Sequence, residues 1–290
     1  MPKLEGLWQC IKDDVIILEL SGVAGITRMV GWGMPNLSLA AQQTPTQHGS
    51  SHLAFRIQDR EILIGLLWKG KWESCLPGRR ADLRAAFSPL AGPFIIRRAL
   101  GDQTIRELRR CWYAGGMEGD SESLADDSEQ GSVRIVCRDP VWYDTTSNSI
   151  TVVYDDFTHG LYSSIASVDS TDGLITSGEW YAYPQIVITG PCTSFNLEST
   201  TTGQQLRYEG DVEAGATVTL VTNPNPNPSA TDNSGLDVQN YVPPGDDLGG
   251  FALWPDPLTT DGNNEWTLTV EGITVASNFV FTWEDRYLGV

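Results

Sequence analysis

Residues 251–290 read FALWPDPLTTDGNNEWTLTVEGITVASNFVFTWEDRYLGV, and they follow the alternating code of a β-sheet. Trp266, Leu268 and Val270 fall on one face of an extended segment, and Thr267, Thr269 and Glu271 on the other. Glu271-Gly272 predicts a two-residue hairpin turn, because glycine takes the positive φ that such loops require. Beyond it Phe279, Phe281 and Trp283 share a face, with Val280, Thr282 and Glu284 opposite. The closing residues Arg286-Tyr287-Leu288-Gly289-Val290 are expected to be tied into the sheet and to be structural.

The rest of the chain is written in the same hand. Its 290 residues hold 29 glycines, 16 prolines and 10 tryptophans, which points to many short strands and turns rather than a helical bundle. That length accommodates two ordinary domains, each with its own core. Charge divides the chain. Residues 1–139 carry 17 basic and 17 acidic side chains, whereas residues 140–290 carry 2 basic and 20 acidic ones, the whole net charge of −18. The step predicts a domain boundary at 139/140 and excludes nucleic-acid binding by the second half, which would need a basic surface. The five cysteines, Cys10, Cys75, Cys111, Cys137 and Cys192, never occur at C-x-x-C spacing and predict buried reduced thiols. Lys12, Asp13 and Asp14 interrupt any apolar leader, and no apolar run reaches the ~20 residues of a membrane span, so a soluble cytoplasmic product is expected.

Taken in order, residues 14–20 predict a buried strand and residues 52–68 a hairpin turning at Asp59-Arg60. Residues 77–89 are the helix candidate, with Pro77 in the first turn, Leu83 and Phe87 four apart, and Ser88-Pro89 at the end. Residues 94–99 read as a strand. Residues 104–113 fit helix or strand spacing, and strand is preferred. The acidic stretch 115–132 is expected to be a loop, 133–138 a strand, and YPQIVITG a strand opening the clearer part of the second domain. The Pro/Asn-rich stretch 222–236 is expected to be an exposed loop tip that packs no core.

Several clusters could carry chemistry, and each fails at a named residue. His48 and His52 have the i, i+4 spacing of a zinc pair, but Gly49-Ser50-Ser51 disfavours a helix and the general-base Glu is missing. Residues 168–179 match a calcium loop at Asp172, Gly173 and Glu179. Val168 stands where the first carboxylate belongs, so an acidic turn is expected instead. Asp155, Asp156 and His159 are compact, but adjacent carboxylates on a strand point to opposite faces and would not flank a glycosidic bond, so a surface loop is expected. There is no phosphate loop and no G-x-S-x-G elbow. No catalytic, cofactor-binding or metal-binding residue is assigned, no cofactor is expected, and the chain is read as a non-enzyme.

Phrases along nearly the whole chain resemble the distal tail proteins of long-tailed phages (siphophages). They are PTQHGSSHLAFRIQDREI; the helix with Arg79, Arg80, Leu83 and Arg84; RRCWYAGGMEG; RDPVWYD; YPQIVITGP; TTGQQLRYEGDVEAGATVTL; and the F-x-L-x-P segment leading to the aromatic R-Y ending. The resemblance implies a mainly β chain: residues 1–139 as a ring-forming β-sandwich or barrel-like domain with one helix, and residues 140–290 as a galectin-like β-jelly-roll. It further implies a homohexameric ring that joins the tail tube to the tail-tip hub of the virion, with tape-measure protein and DNA passing through its lumen. Trp283-Glu284-Asp285-Arg286 resembles the W-x-x-E-x-R of galectins, but the H-x-N-x-R partner strand is absent. The eight arginines of residues 79–110 are expected to pair with acids of neighbouring subunits rather than to face DNA. Arg286, one of two cations in the second half, is expected to be covered by Tyr287 and the chain end and to meet buried acids. The alternative function is a carbohydrate-binding module for host-surface glycans, and a glycosidase lacks a carboxylate pair.

Overall fold

The computed structural model describes residues 8–19, 25–42, 51–69, 81, 84–102, 104–116, 123–125, 128–159, 165–200, 202–224, 227–255 and 263–290. The chain is mainly β and divides into two compact units, Met1–Thr145 with Tyr287–Val290, and Thr146–Arg286. The first unit therefore takes back the last four residues of the chain.

The first unit contains β1 (Trp8–Lys12), β2 (Val15–Glu19), β3 (Gly25–Val30), β4 (Leu37–Gln42), β5 (Ser51–Ile57), β6 (Arg60–Lys69), β7 (Phe94–Ala99), β8 (Ile105–Gly116), β9 (Ser123–Ala125) and β10 (Ser128–Cys137). The strand β11 (Trp142–Val153) begins here and runs on into the second unit. The long strand β8 organises the ladder. Its first half pairs with β7 and with the start of β11, and its second half with β10, which in turn pairs with β6. Arg110, at φ +56, marks the change of partner. One extra residue at Arg109-Arg110 turns both Leu108 and Cys111 into the core, three apart instead of two. That core gathers Trp8, Cys10, Ile62, Ile64, Phe87, Phe94, Ile96, Val133, Ile135 and Trp142 around these two.

Residues 81 and 84–86 are helical and Phe87 is buried as the helix candidate expects; residues 77–80 and 82–83, Leu83 among them, lie outside the described residues. Residues 104–113 form strand, as preferred. The hairpin expected over 52–68 does not form. β5 pairs with β4 in a separate two-stranded sheet, while β6 pairs with β10 and β3. Alternation identifies a strand but not its partner, and Arg60 is a buried anchor rather than a turn residue. The strand expected over 14–20 is present as Val15–Glu19, and among its described residues only Leu18 is buried. Val15 and Ile16 are 63% and 51% exposed because β2 is an edge, hydrogen-bonded to β1 alone. The stretch 115–132 is less of a loop than expected: β8 runs to Gly116, Ser123–Ala125 is strand, and β10 begins at Ser128. Serine- and glycine-rich backbone can join a ladder without offering an apolar face.

The second unit is a sandwich of two sheets. One has the order β18-β17-β14-β20-β11, with β14 (Gln185–Thr189), β17 (Thr217–Val221), β18 (Ser229–Asp232) and β20 (Asn278–Tyr287). The other has the order β12-β13-β19-β15-β16, with β12 (Thr158–His159), β13 (Ile165–Ile175), β15 (Ser194–Ser199), β16 (Gln205–Tyr208) and β19 (Asn263–Glu271). Phe279 meets Phe195, and Trp266 meets Phe281, across the space between the sheets. The faces read from the sequence hold: Trp266, Leu268, Val270, Phe279, Phe281 and Trp283 are all buried. The hairpin at Glu271-Gly272 does not form. Gly272 takes φ +69, but β19 pairs with β13 and β15 while β20 pairs with β14, so residues 272–277 carry the chain from one sheet to the other. The loop tip expected over 222–236 is also corrected, because Ser229–Asp232 is an edge strand and Ala230 is fully buried.

Candidate assembly interface

The first unit has an interior held by arginine and a surface left apolar. Arg60 opens β6 with its side chain 2% exposed. Its Nε donates to the Pro140 carbonyl (2.7 Å), its Nη1 to the Gly31 carbonyl (2.9 Å) and also to that of Gly33, and its Nη2 to the Leu288 carbonyl (2.7 Å). Burial pushes its pKa down to about 10, which leaves it charged at neutral pH. A planar fork of donors can serve several carbonyls at once, as a lysine could not. Arg98 lies 4.1 Å from the Trp32 ring centroid and 4.9 Å from that of Trp8, and its Nη1 reaches the Val290 carbonyl at 3.2 Å. Arg106 covers Tyr287, and Arg109 covers Tyr143. Arg97 donates through Nε and Nη2 to the same oxygen of the buried Glu107, its register partner (2.9 and 2.6 Å).

Four of the eight arginines expected to pair with acids of neighbouring subunits also have partners within their own unit. Arg97, Arg98, Arg106 and Arg109 are engaged within their own unit, because aromatic rings and returning main chain lie within reach of β7 and β8. Arg79 and Arg80 lie outside the described residues. This unit also carries an exposed apolar ladder. The β4–β5 ladder sets Leu39 opposite Phe55, 64% and 46% exposed, and Leu37 opposite Ile57. An isolated two-stranded ladder has marginal stability in water, so a covered face would strengthen it.

In the second unit Trp283 is buried and its Nε1 donates to the Ile175 carbonyl (3.1 Å). Buried Asp285 accepts a hydrogen bond from Thr176 Oγ1 (2.9 Å). Arg286 is 4% exposed, as expected. Its Nη1 donates to the Tyr181 carbonyl (3.0 Å), and its guanidinium lies 4.9 Å from the Tyr183 ring centroid. A carbonyl and a ring are thus among the partners of Arg286. The second cation, Arg207, forms a fork with Asp246 at 3.0 Å on both arms.

The remaining clusters are dispersed. His48 lies outside the described residues and His52 is in β5. Val168, Asp172 and Gly173 belong to β13, a strand whose register slips between Ser170 and Leu174, rather than to an acidic turn. Asp155 and Asp156 are exposed on the 3-10 turn Tyr154–Asp156, where Asp156 accepts the Val153 N–H at 2.8 Å. Among the described residues no three His, Cys, Asp or Glu side chains are grouped to hold a metal, and no helix is long and apolar enough to cross a membrane. Cys10, Cys111, Cys137 and Cys192 are buried and free. Burial raises the thiol pKa of Cys10 to about 12 and of Cys192 to about 11, and the Sγ atoms of Cys111 and Cys137 touch at 2.8 Å.

The sequence reasoning missed Arg60, whose charged character between two strand-like runs reads as a turn. It also missed the two-residue hairpin that does form, at Asp13-Asp14, where both residues take positive φ between Lys12 and its register partner Val15.

No family model and no curated protein matches the chain. Solved structures do. The chain is similar to the SPP1 Dit (gp 19.1) protein, described as a hub adsorption apparatus of phages infecting Gram-positive hosts, with 14% identity, 96% of this chain and 98% of that chain covered, and a TM-score of 0.65. It is also similar to a chain of the phage P2 baseplate in its activated conformation with Ca, with 10% identity, 98% and 99% coverage and a TM-score of 0.53. Both units of this chain thus follow the fold of phage hub and baseplate proteins from end to end.

Proposed function

We propose that the chain is a structural, non-enzymatic distal tail protein of a long-tailed phage, acting at the tail tip of the virion. The observation that carries this reading is the extent of the likeness, 96% of this chain and 98% of the SPP1 Dit protein, joined to the family phrases along the sequence. The first unit closes a homohexameric ring between tail tube and tail-tip hub, and the lumen passes tape-measure protein and DNA. A cyclic ring needs a heterologous contact, one surface of each copy meeting a different surface of the next. The apolar β4–β5 ladder and the exposed edge β2 are two such surfaces on one unit. Native mass spectrometry tests the reading: a ring has a mass of roughly 191 kDa, six copies of 31.8 kDa. Intact tails holding only one copy of the chain would overturn it.

A further inference from the structure

The outward face of the second unit carries a cleft of about 340 Å³, at the small end of ligand pockets. Its floor is a cross-strand row. Gln185 of β14 is in register with Val221 of β17 on one side and Thr282 of β20 on the other. Two residues along each chain lie Tyr183, Asn223 and Glu284, which line the same cleft, with Ser147 and Trp283 beside them. The register continues past the strand end because Thr222 donates through both N and Oγ1 to the Pro184 carbonyl. Ile186, Leu220 and Phe281 point the opposite way, into the core. The floor of the cleft therefore belongs to paired strands, with Tyr183 and Asn223 just beyond the strand ends.

Its chemistry narrows the ligand. Two amides, two hydroxyls, a phenol and one carboxylate supply donors and acceptors, and the Tyr183 ring, one of two aromatic rings in the lining, can pack against C–H groups. An anionic ligand is disfavoured. Of the two arginines in this unit, Arg207 is held by Asp246 and Arg286 lies against the Tyr183 ring. Glu284 is the one carboxylate in the lining, too little for a divalent cation. Val221 and Trp283 offer too little apolar surface for a lipid chain. A neutral molecule with many hydroxyls remains.

We propose that this cleft binds a neutral saccharide, one sugar ring lying on Tyr183 with its hydroxyls between Gln185, Asn223 and Glu284. Arg286 acts as a positioning residue, packed against Tyr183 and anchored on the Tyr181 carbonyl. Such a site would exist whether or not the chain closes a ring, and its failure would leave the tail reading untouched.

Saturation-transfer NMR on the full chain tests it, with methyl glycosides of glucose, galactose, rhamnose and N-acetylglucosamine and their neutral oligomers as probes. At least one should bind with Kd of about 1 mM, as a shallow single-ring site allows. Gln185→Ala and Asn223→Ala, each with an unchanged thermal melt, should weaken it about tenfold or more, because the sugar hydroxyls lose their partners. A sulfated or sialylated form of the same probe should bind more weakly than the neutral one. Absence of binding across the panel, binding indifferent to both variants, or displacement of the sugar by oligolysine acting at this face would each overturn the proposal.

Discussion

Arg60 collects carbonyls from the stretch before β4, from Pro140 and from Leu288, so one side chain ties together segments more than two hundred residues apart. Removing it strands those carbonyls in a dry site, and Arg60→Ala should cost about 3–5 kcal/mol, as for breaking any buried charged network. Urea unfolding of the full chain measures this, and Arg60→Lys should recover little, since an ammonium cannot reproduce the fork. The buried thiols give a second test. Cys10 moves from 9.0 to about 12 because burial disfavours the thiolate. The native state therefore holds a proton that the unfolded chain has lost, and stability should fall as pH climbs from 9 towards 12. At pH 8 iodoacetamide should leave Cys10, Cys111, Cys137 and Cys192 unmodified in the native protein and label them in urea, which peptide mass spectrometry reads directly.

At the scale of the element, β20 is held at its end by main chain from residues 178–180. The N–H groups of Glu179 and Trp180 both donate to the Arg286 carbonyl, at 2.7 and 3.0 Å. The main chain passes so close there that a Cβ on Gly178 would sit 2.5 Å from the same oxygen. Gly178→Ala should push the segment off the strand and cost about 1–3 kcal/mol, the range for overpacking, visible as a lower midpoint in urea. Arg286→Ala removes a charge-assisted hydrogen bond and a ring contact, together about 3 kcal/mol. A midpoint shift no larger than that of a neutral surface substitution would mean that Arg286 holds nothing in place.

At the scale of the whole molecule, assembly should depend on the apolar ladder of the first unit rather than on its arginines. Leu39→Asp combined with Phe55→Lys, opposite charges on one cross-strand pair, should shift the native mass from ring to monomer while leaving the circular dichroism spectrum of the chain unchanged, because both side chains are exposed in the single copy. Arg97→Ala should do the reverse. It removes the nearer of the two arginines that pair with buried Glu107 and so lowers stability, with no selective effect on the ring.

The sequence by itself determined which residues face inward. Period-two alternation is a local property, so the inward faces Trp266-Leu268-Val270 and Phe279-Phe281-Trp283 are legible from spacing alone, and so is the confinement of nearly all basic charge to the first half. Only the tertiary structure decided which strand lies beside which. Runs that look like hairpins at Asp59-Arg60 and Glu271-Gly272 lead into different sheets, because a strand's partner is chosen by the ladder it completes across many residues and not by the turn that precedes it. The same holds for the sites. Gln185, Val221 and Thr282 line one cleft through the register of three strands, and Arg60 meets Leu288 only because the chain end returns to the first unit. Those neighbours are set by pairing at long range, which no window of sequence contains.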